Sequence, residues 1–410
     1  MPLGIYISVP FCRTKCSFCN FASGVFSREF FDRYIQHVTT EISSAGPTST
    51  VSGTHFEREI DTIYLGGGTP SVLAPDQLEA IFTALHGEFT VNSRSEITVE
   101  CAPGTLTPAI IATLQRCGVN RVSLGVQSFI DEESRSVGRL HTRAITLSDI
   151  ENLRRAGISN LSVDLIAGLP HQTEKSWRDS LEAVMVTGVP HVSVYMLEVD
   201  EDSRLGRELI AGGQRYHAHH VPNDDATADF YQQACETLNA SGVRQYEISN
   251  FARAGFQSKH NLKYWQREPY LGFGVDAHAM LLADNNEAVR FATADDLDQL
   301  LAGAPRTIYK IDRADAEDEA FFLGLRLNHG VDLRAIAAQF GKDAITKREP
   351  IFETLQEAAL LERESTTLRL TDRGRLLSNE VFERLMLADV HEVQTSGSED
   401  RLIAISPQPK

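Results

Sequence analysis

Cysteine is scarce in this chain: there are six in 410 residues. So few thiols in so long a chain exclude a disulfide framework. Long apolar runs are missing too. None approaches the eighteen or so consecutive apolar residues that a membrane span needs. No basic stretch followed by an apolar one marks a signal peptide, and a cytoplasmic location is expected. Positive charge is in deficit, with 39 Lys and Arg against 56 Asp and Glu and a net charge of −17. A chain this acidic lacks the basic face that nucleic-acid binding requires. Without a spanning segment, membrane contact is expected to be peripheral if there is any, and no basic amphipathic helix supports it. What is present, 42% hydrophobic and 23% charged residues, is ordinary for a folded protein of two or three domains.

The few cysteines are not scattered evenly. Cys12, Cys16 and Cys19 are spaced C-x3-C-x2-C, just after the apolar run Ile5–Val9 and Pro10. A β-branched and aromatic run closed by proline reads as a strand entering a loop. Structural zinc takes four protein ligands, usually as two separated pairs. Here the remaining cysteines, Cys101, Cys117 and Cys235, stand alone. Three thiolates suit an iron–sulfur cluster with one iron left open; the bland alternative is three unrelated buried cysteines.

Residues 3–200 repeat a strand–loop–helix rhythm. The pattern predicts strands at Ile5–Val9, Thr62–Leu65, Glu96–Glu100, Arg121–Val126, Leu161–Ile166 and His191–Met196, with helices between them. Gly118, Gly157 and Gly188 read as helix C-caps. Alternation of this kind implies a parallel sheet with right-handed crossovers. The polar oddities fall at the strands' carboxyl ends, where barrel folds carry their sites. Gly66, Gly67, Gly68 and Thr69 follow the second strand and would let a ligand approach bare backbone, or simply form a tight turn. Glu100, Gln127 and Asp164 end or interrupt apolar strands, where an unpartnered polar group is costly. Arg139 follows in a loop.

In order and spacing these residues resemble the radical S-adenosylmethionine (SAM) superfamily, in the branch of the oxygen-independent coproporphyrinogen III oxidases. The resemblance covers nearly the whole chain. It implies an α/β fold: an incomplete (β/α)6 barrel at 1–200, an α+β middle region at 201–315 and a small winged-helix-like domain at 316–390. A mobile tail at 391–410 completes the reading, and a doubly wound sheet is the alternative for the first segment. It further implies a [4Fe–4S] cluster on Cys12, Cys16 and Cys19, whose open iron binds SAM. SAM contacts carry over to Tyr6, Phe18, Gly67, Gly68, Thr69, Glu100, Gln127, Arg139 and Asp164. One position departs from the branch pattern Glu-x-Asn-Pro-Gly: Ala102 stands in the Asn place.

Two later stretches carry chemistry of their own. Tyr216–His220 contains three histidines and reads as a solvated loop with no fixed metal-binding face. His260 and Tyr264 lie four apart, on one face of a helical turn, with Asn261 and Trp265 beside them. Imidazole, phenolate and flat apolar walls all suit a haem; taken alone they equally suit a polar-aromatic cluster at a domain junction. The string HNxxYW resembles the haem-chaperone group of the same branch. That resemblance implies haem as ligand, haem-accepting proteins such as respiratory enzymes as partners, and a cluster and SAM that govern self-association or haem transfer.

Oxidase and carrier are separable in the sequence. The oxidases place a fourth cysteine two residues after the third, where this chain has Phe21. They also carry an extension ahead of the barrel, for which the eleven residues before Cys12 leave no room. With HNxxYW, these features favour the carrier.

Overall fold

A computed structural model of the chain describes residues 1–46, 54, 56–283 and 287–386; the expected tail at 391–410 lies outside them. The chain opens with β1 (Leu3–Val9), α1 (Arg28–Ser43), β2 (Glu59–Gly67), α2 (Pro75–Glu88), β3 (Thr90–Cys101) and α3 (Pro108–Arg116). It continues through β4 (Arg121–Gln127), α4 (Asp131–Ser136), α5 (Arg143–Arg155), β5 (Asn160–Ala167), α6 (Glu174–Thr187) and β6 (His191–Met196). Six of the seven residues of β1 are buried, and β5 is apolar on both faces around one acid, Asp164. That is the composition of parallel strands covered by helices on one side and a filled interior on the other. Helix starts are written locally. Pro75 and Pro108 occupy first turns, and the Thr107, Thr142 and Thr173 hydroxyls each accept a backbone N–H two or three residues on. Gly188 ends α6 in the left-handed region, at φ 64°.

β1 to β6 lie in sequential order, each parallel to the next. A doubly wound sheet would reverse order at a switch point; this one does not, and the arrangement is a partial, open barrel.

The middle segment does not fold apart. After α7 (Arg204–Ala211) and α8 (Asp224–Ala240), β7 (Arg244–Gln245) and β8 (Asn250–Ala252) pair antiparallel and dock on β6. Then come α9 (Lys259–Trp265), β9 (Tyr270–Phe273), β10 (His278–Leu282), β11 (Ala288–Ala292), α10 (Leu297–Leu301) and β12 (Thr307–Ile311). β9 runs parallel to β1, and β10 to β12 extend the sheet antiparallel from there. The result is one sheet of twelve strands, with the six-strand barrel at its centre and middle-segment strands on both flanks.

The C-terminal unit contains α11 (Arg313–Leu325), β13 (Val331–Asp332), α12 (Leu333–Phe340), α13 (Asp343–Thr346), α14 (Glu349–Glu357), β14 (Leu361–Glu364), β15 (Thr367–Leu370), α15 (Asp372–Leu376) and α16 (Ser378–Met386). Helices on a small antiparallel sheet ordered β13-β15-β14 give the winged-helix-like outline. Its core includes Phe321, Phe352 and Leu368, and runs on into Tyr264, Trp265 and Tyr270 of the middle segment. Among the described residues no helix is long and apolar enough to cross a membrane.

Candidate functional site

A cavity of about 1430 Å³ opens at the carboxyl ends of β1 to β6. Cys12, Cys16, Cys19 and Phe18 line one side, and Gly67, Gly68 and Thr69 adjoin them. Backbone bonds from Gly68 N–H to Val9 O and from Thr69 N–H to Phe11 O, both 2.8 Å, strap the glycine loop to the start of the cysteine loop. Glycine is required at 68. A Cβ there would stand 2.7 Å from Val9 O and 2.9 Å from Phe11 O, backbone atoms that cannot step aside.

Donors surround the thiols. Thr69 Oγ1–H points to Cys12 Sγ at 3.7 Å, Arg139 Nη1–H to Cys16 Sγ at 3.6 Å, and Cys19 Sγ lies 3.8 Å from Ser23 Oγ. Burial pushes the thiols of Cys12 and Cys19 up from their ordinary values. Three thiols on one loop, each beside a hydroxyl or guanidinium group, form a donor set suited to metal-held sulfur.

Across the cavity stand two buried acids. Glu100 accepts a hydrogen bond from Tyr64 O–H at 2.7 Å, and burial, reinforced by Asp164, raises its carboxyl to about 8. Asp164, raised by the same desolvation, accepts from Ser123 Oγ–H at 3.1 Å to both oxygens. Both acids are thus primed for a cationic or hydroxyl-bearing ligand, which would repay their desolvation. Arg139 also donates to Gly125 O. Gln127, at φ 69°, is held in the left-handed region where β4 ends.

The structure therefore brings together Cys12, Cys16, Cys19, Phe18, Gly67, Gly68, Thr69, Glu100, Gln127, Arg139 and Asp164 on one wall system. Tyr6 stands behind that wall, stacked on Tyr64 with ring centroids 6.2 Å apart.

The HNxxYW residues behave differently. They do form a helix, α9, whose start is capped by Ser258. Asn261 reaches the cavity wall. His260 does not. It is 1% exposed, with Nδ1 2.9 Å from Thr62 Oγ1 and Nε2 2.8 Å from Tyr264 O–H. Burial, with Lys263 and Arg121 nearby, holds its ring neutral, down to about 3. Trp265 is buried under the Arg326 guanidinium, 4.2 Å from its ring centroid. As folded, His260 bonds Tyr264 through one ring nitrogen and Thr62 through the other, so both of its nitrogens are engaged.

Sequence reasoning missed several wall residues: Tyr64, Arg121, Ser123, His191 and His278. Arg121 is a buried cation that lowers the carboxyls of Glu96, Glu100 and Asp164 against the rise that burial imposes. A charged residue opening an apolar strand was the available signal. His191 is bonded through both nitrogens, to Ser162 Oγ at 2.7 Å and Tyr246 O–H at 3.0 Å.

Comparison with known proteins fits this geometry. Residues 6–184 match the Radical SAM superfamily, and residues 311–377 match the HemN C-terminal domain. The heme chaperone HemW of Lactococcus lactis is 33% identical over 95% of this chain and 99% of its own. The chain belongs to the HemW family. HemW proteins of Bacillus subtilis (33% identical, 92% of this chain, 97% of theirs) and Escherichia coli (29%, 95% and 99%) align at similar length. Among solved structures, the radical SAM enzyme coproporphyrinogen III oxidase (HemN) of Escherichia coli superposes with a TM-score of 0.78 at 23% identity, over 94% of this chain and 90% of that one. At that identity the likeness concerns the fold. Radical SAM membership implies a [4Fe–4S] cluster and SAM, and the thiol set with its N–H and O–H neighbours fits the cluster.

A substitution at Asp164 tests directly whether this wall meets SAM. Hydrogen bonds to a charged acceptor contribute about 1.5–3 kcal/mol, so Asp164→Ala should weaken SAM binding about tenfold to a hundredfold. The cluster absorbance should be unchanged. An unaltered SAM dissociation constant by equilibrium dialysis would remove Asp164 from the site.

Proposed function

We propose that the chain is a cytoplasmic haem chaperone. It holds a [4Fe–4S] cluster through Cys12, Cys16 and Cys19, and SAM against Gly67, Gly68, Thr69, Glu100, Gln127, Arg139 and Asp164. It accepts haem in the open part of the same cavity and passes it to acceptor proteins such as respiratory enzymes. The observation that carries this reading is the cavity's size. Small-molecule pockets run to roughly 300–1,000 Å³, so about 1430 Å³ leaves room for a second, large ligand beside SAM. Haem is also what the names of the HemW relatives attach to them. When bound, the cluster would supply a redox-active iron site, and the protein's own residues would orient SAM and shield that end from water.

Within the cavity, His278 on β10 would be the imidazole to hold haem iron. It is half-exposed, and Asp276 Oδ1 lies 3.7 Å from its Nε2. In this reading the HNxxYW helix braces the wall through Asn261, and His260 could reach haem only after its bonds to Thr62 and Tyr264 break. Coproporphyrinogen III oxidation is the second reading; Phe21, where the oxidases carry a fourth cysteine, argues against it.

Haem titration into anaerobically reconstituted protein, followed at the Soret band, tests the proposal. The wild type should bind one haem per chain. His278→Ala should weaken binding at least tenfold, and His260→Ala should weaken it less. Loss of haem in His260→Ala with an intact cluster and fold would move the ligand to His260. No specific haem binding by the wild type would return the oxidase reading, assayed with coproporphyrinogen III, SAM and a reductant.

A further inference from the structure

Three histidines that the haem and SAM sites do not use converge on the rim of the barrel. His171 lies in the loop after β5, Gly168–Gln172. His217 and His220 lie in the turn between α7 and α8, 46 and 49 residues further on. His171 Nε2 is 3.0 Å from His217 Nδ1. The rings of His171 and His220 stack, with centroids 4.2 Å apart. One ligand atom from each residue falls within 4.8 Å of the other two.

The surrounding backbone holds them there. His171 N–H donates to His220 O at 2.9 Å, so the two loops are joined at the cluster itself. Glu208 of α7 accepts N–H bonds from Arg215 at 2.8 Å, from Tyr216 at 2.8 and 2.9 Å, and from Ala218 at 3.2 Å. His220 N–H closes the turn onto His217 O. His171 and His217 both sit in the left-handed region, at φ 67° and 61°. Few non-glycine residues occupy this region. Two such residues, facing each other from separate loops, are the kind of outlier from which function is inferred. The turn is therefore not the solvated loop without a fixed face that its sequence suggests. The third imidazole comes from a different part of the chain.

We propose that His171, His217 and His220 form a binding site for a zinc-class divalent cation, with the fourth position open to solvent. Three neutral imidazoles and a water are an established zinc donor set, and imidazole selects borderline metals over calcium or magnesium. The spacing suits it: two ligands at about 2.0–2.1 Å from a tetrahedral ion stand roughly 3.3 Å apart, close to the 3.0 Å between His171 and His217. His220 is exposed and His171 and His217 are half-buried, so the ion has a path in from water.

The position gives the ion a role. The segment that carries His217 and His220 begins against the cysteine loop. Asn20 Nδ2 donates to Asp200 at 2.6 Å, Leu205 N–H to Ser17 O at 2.8 Å, and Arg204 Nη1 to Lys15 O at 3.2 Å. A cation at the three histidines pins the far end of that brace to the β5 loop. It thereby stiffens the outer cover of the thiol end of the cavity.

The test uses cluster-loaded protein, so that the cysteines do not compete for metal. Zinc is titrated against a chromophoric chelator, and cobalt(II) is added separately to read coordination from its visible bands. The wild type should take up one zinc per chain and give the intense bands of tetrahedral cobalt. His217→Asn keeps a residue tolerant of the left-handed region; with His220→Gln it should lower zinc affinity at least tenfold while the cluster absorbance stays. Hydrogen exchange at residues 204–220 should slow on adding zinc to the wild type and not to the double variant. Absence of competition by the wild type, or equal zinc affinity in the double variant, would overturn the site. Zinc uptake with no change in exchange would overturn its bracing role.

Discussion

Cys16→Ser is expected to leave the protein without its brown absorbance near 400 nm, and iron after anaerobic reconstitution should fall from about four per chain to below one. Cys12→Ser and Cys19→Ser should do the same. Cys101→Ser, Cys117→Ser and Cys235→Ser should not, because each of the three stands alone and none lies on the cysteine loop. The contrast matters more than the loss. A serine hydroxyl is nearly isosteric with the thiol, so Cys16→Ser removes a soft ligand while keeping the Arg139 contact and the loop's shape. Far-ultraviolet dichroism should match the wild type. A full complement of iron in all three variants would sink the ligand assignment.

Much of this site was written in local sequence. The six strands of the barrel were readable because parallel strands buried on both faces appear as short continuous apolar runs. Their helices were readable because proline and threonine mark the starts. Once the strands are placed, a polar residue that ends or interrupts an apolar strand is a candidate for the cavity wall, which is how Glu100, Gln127 and Asp164, all of which line it, could be picked out.

What failed depended on distant partners. Gln245–Phe251 reads as one strand, but it divides into β7 and β8. Glu247 is fully buried there and accepts N–H from Ser249 at 3.1 Å, bending the chain between them. The pattern over Ala344–Ala358 reads as one helix, but it divides into α13 and α14; Pro350, in the first turn of α14, has no N–H to donate back to α13. His260 was placed on the right helix and face. Nothing near it in sequence shows that Thr62, 198 residues away, occupies its Nδ1. Three histidines at 216–220 suggest no site until His171 is brought beside them.

A second large effect is expected from Glu319→Ala. Glu319 on α11 is 2% exposed and holds two buried guanidiniums at once. Arg267 Nε donates to Oε2 at 2.9 Å, and Arg290 donates to Oε1 through Nη2 at 2.8 Å and Nε at 3.1 Å. Arg267 follows the HNxxYW helix, and Arg290 lies on β11, one strand from His278. The single carboxylate thus ties the C-terminal unit to the helix behind the cavity and to the strands that extend its wall. Removing it leaves two cations in a site they cannot leave without disrupting the packing. Breaking a buried pair from one side costs about 3–5 kcal/mol, and the midpoint of chemical unfolding should fall accordingly. Glu319→Gln, which keeps an acceptor oxygen but not the charge, should fall between Ala and the wild type. Replacing Glu319, Arg267 and Arg290 together by Leu, Met and Met should recover most of the loss, because a well-packed apolar group can replace a buried ion network at little cost. A loss below about 1 kcal/mol in Glu319→Ala would mean that water reaches the guanidiniums. The C-terminal unit would then be loosely attached, and His260 could separate from Thr62 and Tyr264 with far less resistance than this packing implies.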